Sequence, residues 1–179
     1  MRREPEEVSY LELATLPSAP FWARCQTKAA LRAWQLWPDL IEIAELLVSE
    51  LVTNAVKISG PTPQELAESG LASVERIALT LRLMPSRLVI EVFDNDINPP
   101  VLTDADADAE SGRGLMLVQA LSKEWGFFFP PAGGKTVFCV LSVPTVTTSY
   151  PAHSHLGRQA EHFALPHTTR IAPLPGGQK

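Results

Sequence analysis

The stretch ELLVSELVTNAV, residues 45–56, sets a carboxylate and an amide into an otherwise apolar run. Glu50 and Asn54 are one helical turn apart, so on a helix they stack along one edge. Leu47, Val48, Leu51, Val52 and Ala55 form the opposing, core-seeking side. The polar edge begins apolar, at Ile43 and Leu46, and then runs through Glu50, Asn54 and Lys57. The helix is therefore expected to be covered along one half and to open onto something wet along the other. Side chains of these types handle protons and polar ligands. The plainer alternative is a polar border to a core helix with no chemistry at all.

Histidine chemistry does not compete for the same role. The chain has 4 histidines, and all lie between His153 and His167 in its final segment. The body before them is left without a Ser-His-Asp or Cys-His pair, without imidazole for a zinc site, and without a phospho-accepting histidine.

Elements that must position Glu50 and Asn54 follow from periodicity. VSYLELATL (8–16) reads as a strand, Phe21 to Trp37 as a helix, and Asp39 to Ile58 as a second helix with Asp39 as N-cap. SGPTPQELAESG (59–70) is a connection with room for a short helical turn. VERIALTLRLMPSRLVIEVFD (74–94) reads as a hairpin turning at MPSR, with Ile77, Leu79, Leu81 and Leu83 on one face. Residues 95–111 form an acidic loop, GRGLMLVQALSKEW (112–125) a glycine-led helix, and FFFPPAGGKTVFCVLSV (127–143) a second hairpin. Paired strands with helices between them predict an α+β fold, a two-layer sandwich of a mixed, mostly antiparallel sheet with helices on one face. Residues 1–143 are expected to form this domain and 144–179 a largely disordered tail.

Several motifs fail on inspection. GGKT (133–136) lacks the earlier glycine of a phosphate loop and leads into a strand instead of a helix. Gly112-Arg113-Gly114 has Leu117 where a dinucleotide fingerprint needs its third glycine. Asp104, Asp106 and Asp108 mimic a calcium loop, but Ala109 replaces its glycine, so the acidic run reads as a solvated loop. Cys25 and Cys139 have no metal-ligand spacing and read as core residues of a cytoplasmic protein. A net charge of −5 without a basic run disfavours direct nucleic-acid binding. No apolar segment has the length of a membrane span, and the charged MRREPEEVSY lacks the centre of a signal peptide.

Three further segments fit around Glu50 and Asn54: Asp94 closing a strand, Gly112 and Gly114 opening a helix, and Gly134-Lys135-Thr136 starting a strand. Their order and spacing resemble the N, G1, G2 and G3 boxes of the GHKL ATPase superfamily, whose nucleotide-binding domain is the Bergerat fold. Over roughly residues 8–143 the chain looks most like the bacterial anti-sigma-factor serine kinases, through VSELVTNAV, GRGLMLVQALSKEWG and GGKTVFCVL.

That resemblance implies ATP and Mg2+ as ligands. It implies that Asn54 coordinates the magnesium, through an amide oxygen suited to a hard cation, and that Glu50 polarises the attacking hydroxyl or water. Asp94 would accept from the adenine amino group, unless it merely terminates its strand. Gly112, Arg113, Gly114 and Leu115 would form the phosphate-side turn at a helix N-terminus. Thr136 would approach adenine through water, and Lys57 either meets phosphate or is a surface lysine. The partners implied are a sigma factor and an anti-sigma-factor antagonist whose serine is phosphorylated, with the kinase a homodimer. Two departures stand out: Asn95-Asp96-Ile97 where glycines are common in the family, and the DADADAE composition of the lid. They keep a second reading open, a regulator on the same fold that is non-catalytic, with or without nucleotide. A plain ATP hydrolase is a third.

Overall fold

The computed structural model describes residues 7–101 and 113–144, with the Arg113 side chain outside the description. β1 (Glu7–Ala14) leads into α1 (Ala19–Ala33), which ends earlier than its apolar pattern suggests. Gln35 takes a left-handed φ of 59°, which halts the helix, and Pro38 then holds Trp37 extended at φ −67°, ψ 147°. α2 (Pro38–Ser59) therefore starts with proline in its first turn and Trp37 as N-cap. Asp39 is not the cap; it lies inside the first turn, where its charge suits the positive end of the helix dipole.

α3 (Pro63–Ser69) is the short turn expected in the connection. Thr62 and Glu65 close a capping box around its start, the Thr62 N–H donating to Glu65 Oε2 at 2.7 Å. A 3-10 turn (Gly70–Ser73) follows, then β2 (Arg76–Met84) and β3 (Arg87–Asp94) as the hairpin. α4 (Arg113–Leu121) is shorter than the glycine-led run, because Glu124 and Trp125 already belong to β4 (Glu124–Phe128), which pairs with β5 (Lys135–Ser142).

The five strands form one sheet in the order β1-β2-β3-β5-β4, and each neighbouring pair is antiparallel. The arrangement is α+β, as expected, with no parallel pair among the described strands. α1 packs on α2, α2 on β2, β3 and α4, and α4 on β4, so one face of the sheet carries the helices. Ile77, Leu79, Leu81, Leu88, Ile90 and Val92 from the sheet meet Ala44, Leu47, Val48, Leu51, Val52 and Ala55 from α2. Each fully buried leucine in this layer contributes roughly 1.5–3 kcal/mol of transfer free energy. The other face carries a smaller cluster of Val89, Phe138 and Val140. β5 is thus enclosed on both sides, which explains why TVFCVL is apolar without alternation.

Two readings on the helices change. Leu46 is exposed, so the edge that carries Glu50 is already at the surface one turn earlier. Cys25 is exposed on α1, whereas Cys139 is fully buried in β5 and its thiol is pushed up to about 12 by burial. Replacing Leu47 with alanine should cost about 2–5 kcal/mol in urea denaturation. Cys25→Ser should change the same measurement by less than about 0.5 kcal/mol.

Candidate functional site

The helix-bearing side of the sheet leaves a gap where α2 ends, α4 begins and β3 meets β5. It forms a cavity of about 410 Å³ lined by α2 residues Leu51, Asn54, Ala55, Lys57 and Ile58, by Val92 and Asp94 of β3, and by Lys135 and Val137 of β5. Gly114 and Leu115 close it at the start of α4, and Asp96, Asn98, Pro99, Pro100 and Val101 fold across from the loop after β3. The size suits a small-molecule ligand, and apolar side chains share the walls with a few polar and charged ones.

One polar region lies where α2 and α4 touch. A Cβ added to Gly114 would come 2.5 Å from Glu50 Oε2 and 3.5 Å from Asn54 Nδ2. Glycine here lets the α4 backbone pass close to the carboxylate and the amide, and a side chain would displace the flexible Glu50 carboxylate. Glu50 stands behind Gly114 and is not part of the cavity wall, while Asn54 is. Among the described residues neither side chain has a hydrogen-bond or ion-pair partner, so both retain their polar capacity for a ligand.

The strand side of the cavity carries a buried ionic group. Asp94 and Lys135 are register partners across β3 and β5, with side chains only 3% and 2% exposed. Lys135 Nζ donates to Asp94 Oδ1 at 3.0 Å and to Asp96 Oδ2 at 2.5 Å. The Asp96 backbone N–H also donates to Asp94 Oδ1, at 2.9 Å, and Asp96 Oδ1 accepts from the Asn98 backbone and side-chain amides at 3.2 and 2.7 Å. Asp and Asn side chains thus build the turn in place of glycines. Burial raises the Asp94 carboxyl above the usual aspartate range, against the pull of Lys135. For Asp96 burial acts the same way, but the hydrogen bonds from Lys135 and Asn98 outweigh it and the carboxyl is lowered.

The tight turn before β5 has its own reason for glycine. Gly134 has φ +71°, and a Cβ there would strike the Asp94 carbonyl oxygen and come 2.6 Å from the Phe93 ring. This contact seats Lys135 opposite Asp94.

Of the residues singled out from the sequence, Asn54, Lys57, Asp94, Gly114 and Leu115 line one cavity, and Glu50 abuts its Gly114 wall. Thr136 does not join them. Strand alternation sends Lys135 and Val137 into the cavity and Thr136 toward the opposite face, beside Phe138. Gly112, the Arg113 side chain, the acidic residues 102–111 and the tail from residue 145 lie outside the described residues. Lys135 and Asp96 were missed as site residues. The signal was available: if Val92 and Asp94 face the cavity, their antiparallel partners Val137 and Lys135 must face it too.

The residues fit a nucleotide with magnesium. An amide oxygen without a partner among the described residues, a glycine-backed helix N-terminus and an apolar slot suit metal, phosphate and base in turn. Among the described residues no cluster of three or more histidine, cysteine or carboxylate ligands forms.

A five-stranded antiparallel sheet with helices on one face, and a cavity at the junction of α2 and α4, define a two-layer α+β nucleotide-site architecture. Residues 16–137 match the histidine kinase-like ATPase domain, and the chain belongs to that family. No curated protein matches the chain. Among the described residues no helix is long and apolar enough to cross a membrane.

Two outcomes follow from the geometry. Gly114→Ala should leave stability nearly unchanged, because the Glu50 carboxylate can swing aside, while weakening ligand binding measured by calorimetry. Asp96→Asn should destabilise the protein most at neutral pH. Its native carboxyl is lowered, so it stabilises the fold above the ordinary aspartate pKa and loses that contribution as pH falls through the native value. Urea denaturation across pH 7 to about pH 3 should therefore show the cost of Asp96→Asn shrinking toward zero.

Proposed function

We propose that the chain is an ATP-binding regulatory serine/threonine protein kinase of the anti-sigma-factor type. The observation that carries this is Gly114 seated over Glu50 and Asn54, neither with a partner among the described residues, with Asn54 and Gly114 lining the cavity. Asn54 would hold magnesium through its amide oxygen, and the α4 N-terminus would face the phosphates. ATP, when bound with magnesium, supplies the phosphoryl group. Glu50 would take the proton from an incoming serine hydroxyl, a carboxylate being suited to that role once it lies within hydrogen-bond reach. Leu51, Ala55, Ile58 and Val137 would hold the base between apolar walls, and Asp94 would meet its polar edge.

The sequence blocks VSELVTNAV and GRGLMLVQALSKEWG support a sigma factor and its antagonist as the protein partners, and a homodimer as the working unit. A second reading has an observation of its own. Lys135 already pairs with Asp94 and Asp96, and a pocket closed by that ion network suits a regulator that acts through protein contacts without phosphotransfer.

Calorimetry of Mg-ATP against the full chain, together with transfer of labelled γ-phosphate to a serine-containing antagonist, separates these readings. The kinase reading expects Asn54→Ala to weaken Mg-ATP binding at least tenfold. It expects Glu50→Gln to keep binding but to lose transfer by about 10²–10⁴-fold. Binding without transfer by the unaltered chain would favour the regulator.

A further inference from the structure

A lysine whose side chain is only 2% exposed sits at the start of β5, and packing alone does not explain it. Exchanging a buried ion pair for apolar side chains of similar volume is often neutral or stabilising, so stability does not by itself call for a charge here. Lys135 Nζ spans two carboxylates, donating to Asp94 Oδ1 and to Asp96 Oδ2. The Asp96 backbone N–H donates to the same Asp94 oxygen, so a strand partner and a loop fix one carboxylate together. Gly134 seats the lysine backbone, because its turn closes against the Asp94 carbonyl. Asp94 itself lines the cavity, as do Leu51, Ala55 and Val92.

What this does for the site follows from the charge on Asp94. A carboxylate only accepts hydrogen bonds, whereas a protonated carboxyl also donates one. An acceptor-only group suits a base edge that carries an amino group and leaves a carbonyl in that place unpaired. A neutral carboxyl meets either. Burial opposes the charged form, Lys135 favours it, and the Asp96 charge opposes it as the smallest of these effects. Among the described lining residues Lys57 of α2 is the other cation. On the β2 side Glu75 holds the neighbouring Asn95, whose Nδ2 donates to Glu75 Oε2 at 3.0 Å.

We propose, on the nucleotide-binding reading above, that Lys135 is a positioning residue: it holds Asp94 as a fixed, charged acceptor lining the cavity. The site thereby selects adenine over a purine with a carbonyl in place of the amino group. Lys135 acts through Asp94 and not on the base, and Asp96 anchors the lysine head group.

Calorimetry of Mg-ATP and of Mg-ITP on the full chain tests this. The two nucleotides share their phosphates, and the base of ITP carries a carbonyl where adenine has its amine. The ratio of their dissociation constants therefore cancels the titration of the phosphates. The unaltered chain should prefer ATP by at least about tenfold at about pH 7.5. Lys135→Met should narrow that preference by at least about tenfold at the same pH, since a buried aspartate without a cation beside it gains its proton more readily. Asp96→Asn keeps the Lys135–Asp94 pair and removes the opposing charge, so it should carry the preference to lower pH than in the unaltered chain. A preference and pH course left unchanged by Lys135→Met would overturn the proposal, because a merely structural lysine would move overall affinity alone. If thermal unfolding shows that Lys135→Met does not fold, Asp96→Asn decides: a preference lost at the same pH as in the unaltered chain, or at a higher one, would overturn it. Binding of both nucleotides by the unaltered chain without preference for ATP would overturn the proposal and leave the nucleotide-binding reading standing. If neither nucleotide binds, both fall.

Discussion

The register of β3 against β5 is the constraint on which the site depends. It sets Asp94 directly opposite Lys135, on the side of the sheet that faces the helices. Both side chains are almost wholly enclosed, and a buried charge without a partner costs several kcal/mol, so a register slip would be opposed by electrostatics as well as by packing. Gly134 reinforces the register by letting the turn close against the Asp94 carbonyl. The loop after β3 then bends through Asp96, whose carboxylate completes the ion network and whose other oxygen holds Asn98. One paired position thus organises the end of a strand, the start of another and the loop across the cavity.

The surroundings of Glu50 and Asn54 are built by a different force. α2 buries a broad apolar face against the sheet, and this fixes which edge of the helix is left over for Glu50 and Asn54. α4 then approaches that edge closely, with Gly114 leaving the Glu50 carboxylate in place. Apolar packing therefore decides where the polar pair stands, and backbone proximity decides what it can reach. Leu51, Ala55 and Val137 line the same cavity as Asn54 and Asp94.

Much of this was legible in the sequence because it rests on periodicity. The eight-element α+β order, the buried stripe on α2, the hairpin face of Ile77, Leu79 and Leu81, and the short turn in the connection all follow local rules. The family also follows, from blocks far apart in the chain. The misses share a physical origin in what local pattern does not encode. The end of α1 depended on a single left-handed residue, Gln35, which apolar spacing does not mark. The family resemblance set Thr136 near the adenine, yet strand alternation turns it away and presents Lys135. Cys25 was read as core from its residue type, although the apolar stripe on α1 runs through Ala23, Thr27 and Leu31 instead.

The central claim is that a nucleotide enters between α2, α4 and the β3–β5 pair. Amide hydrogen exchange with and without Mg-ATP tests it most directly. Protection should concentrate at the end of β3 and its following loop, at the last turns of α2, at the start of α4 and at the start of β5, with little change in β1 and α1. Protection confined to β1 and α1, or none at saturating nucleotide, would contradict it.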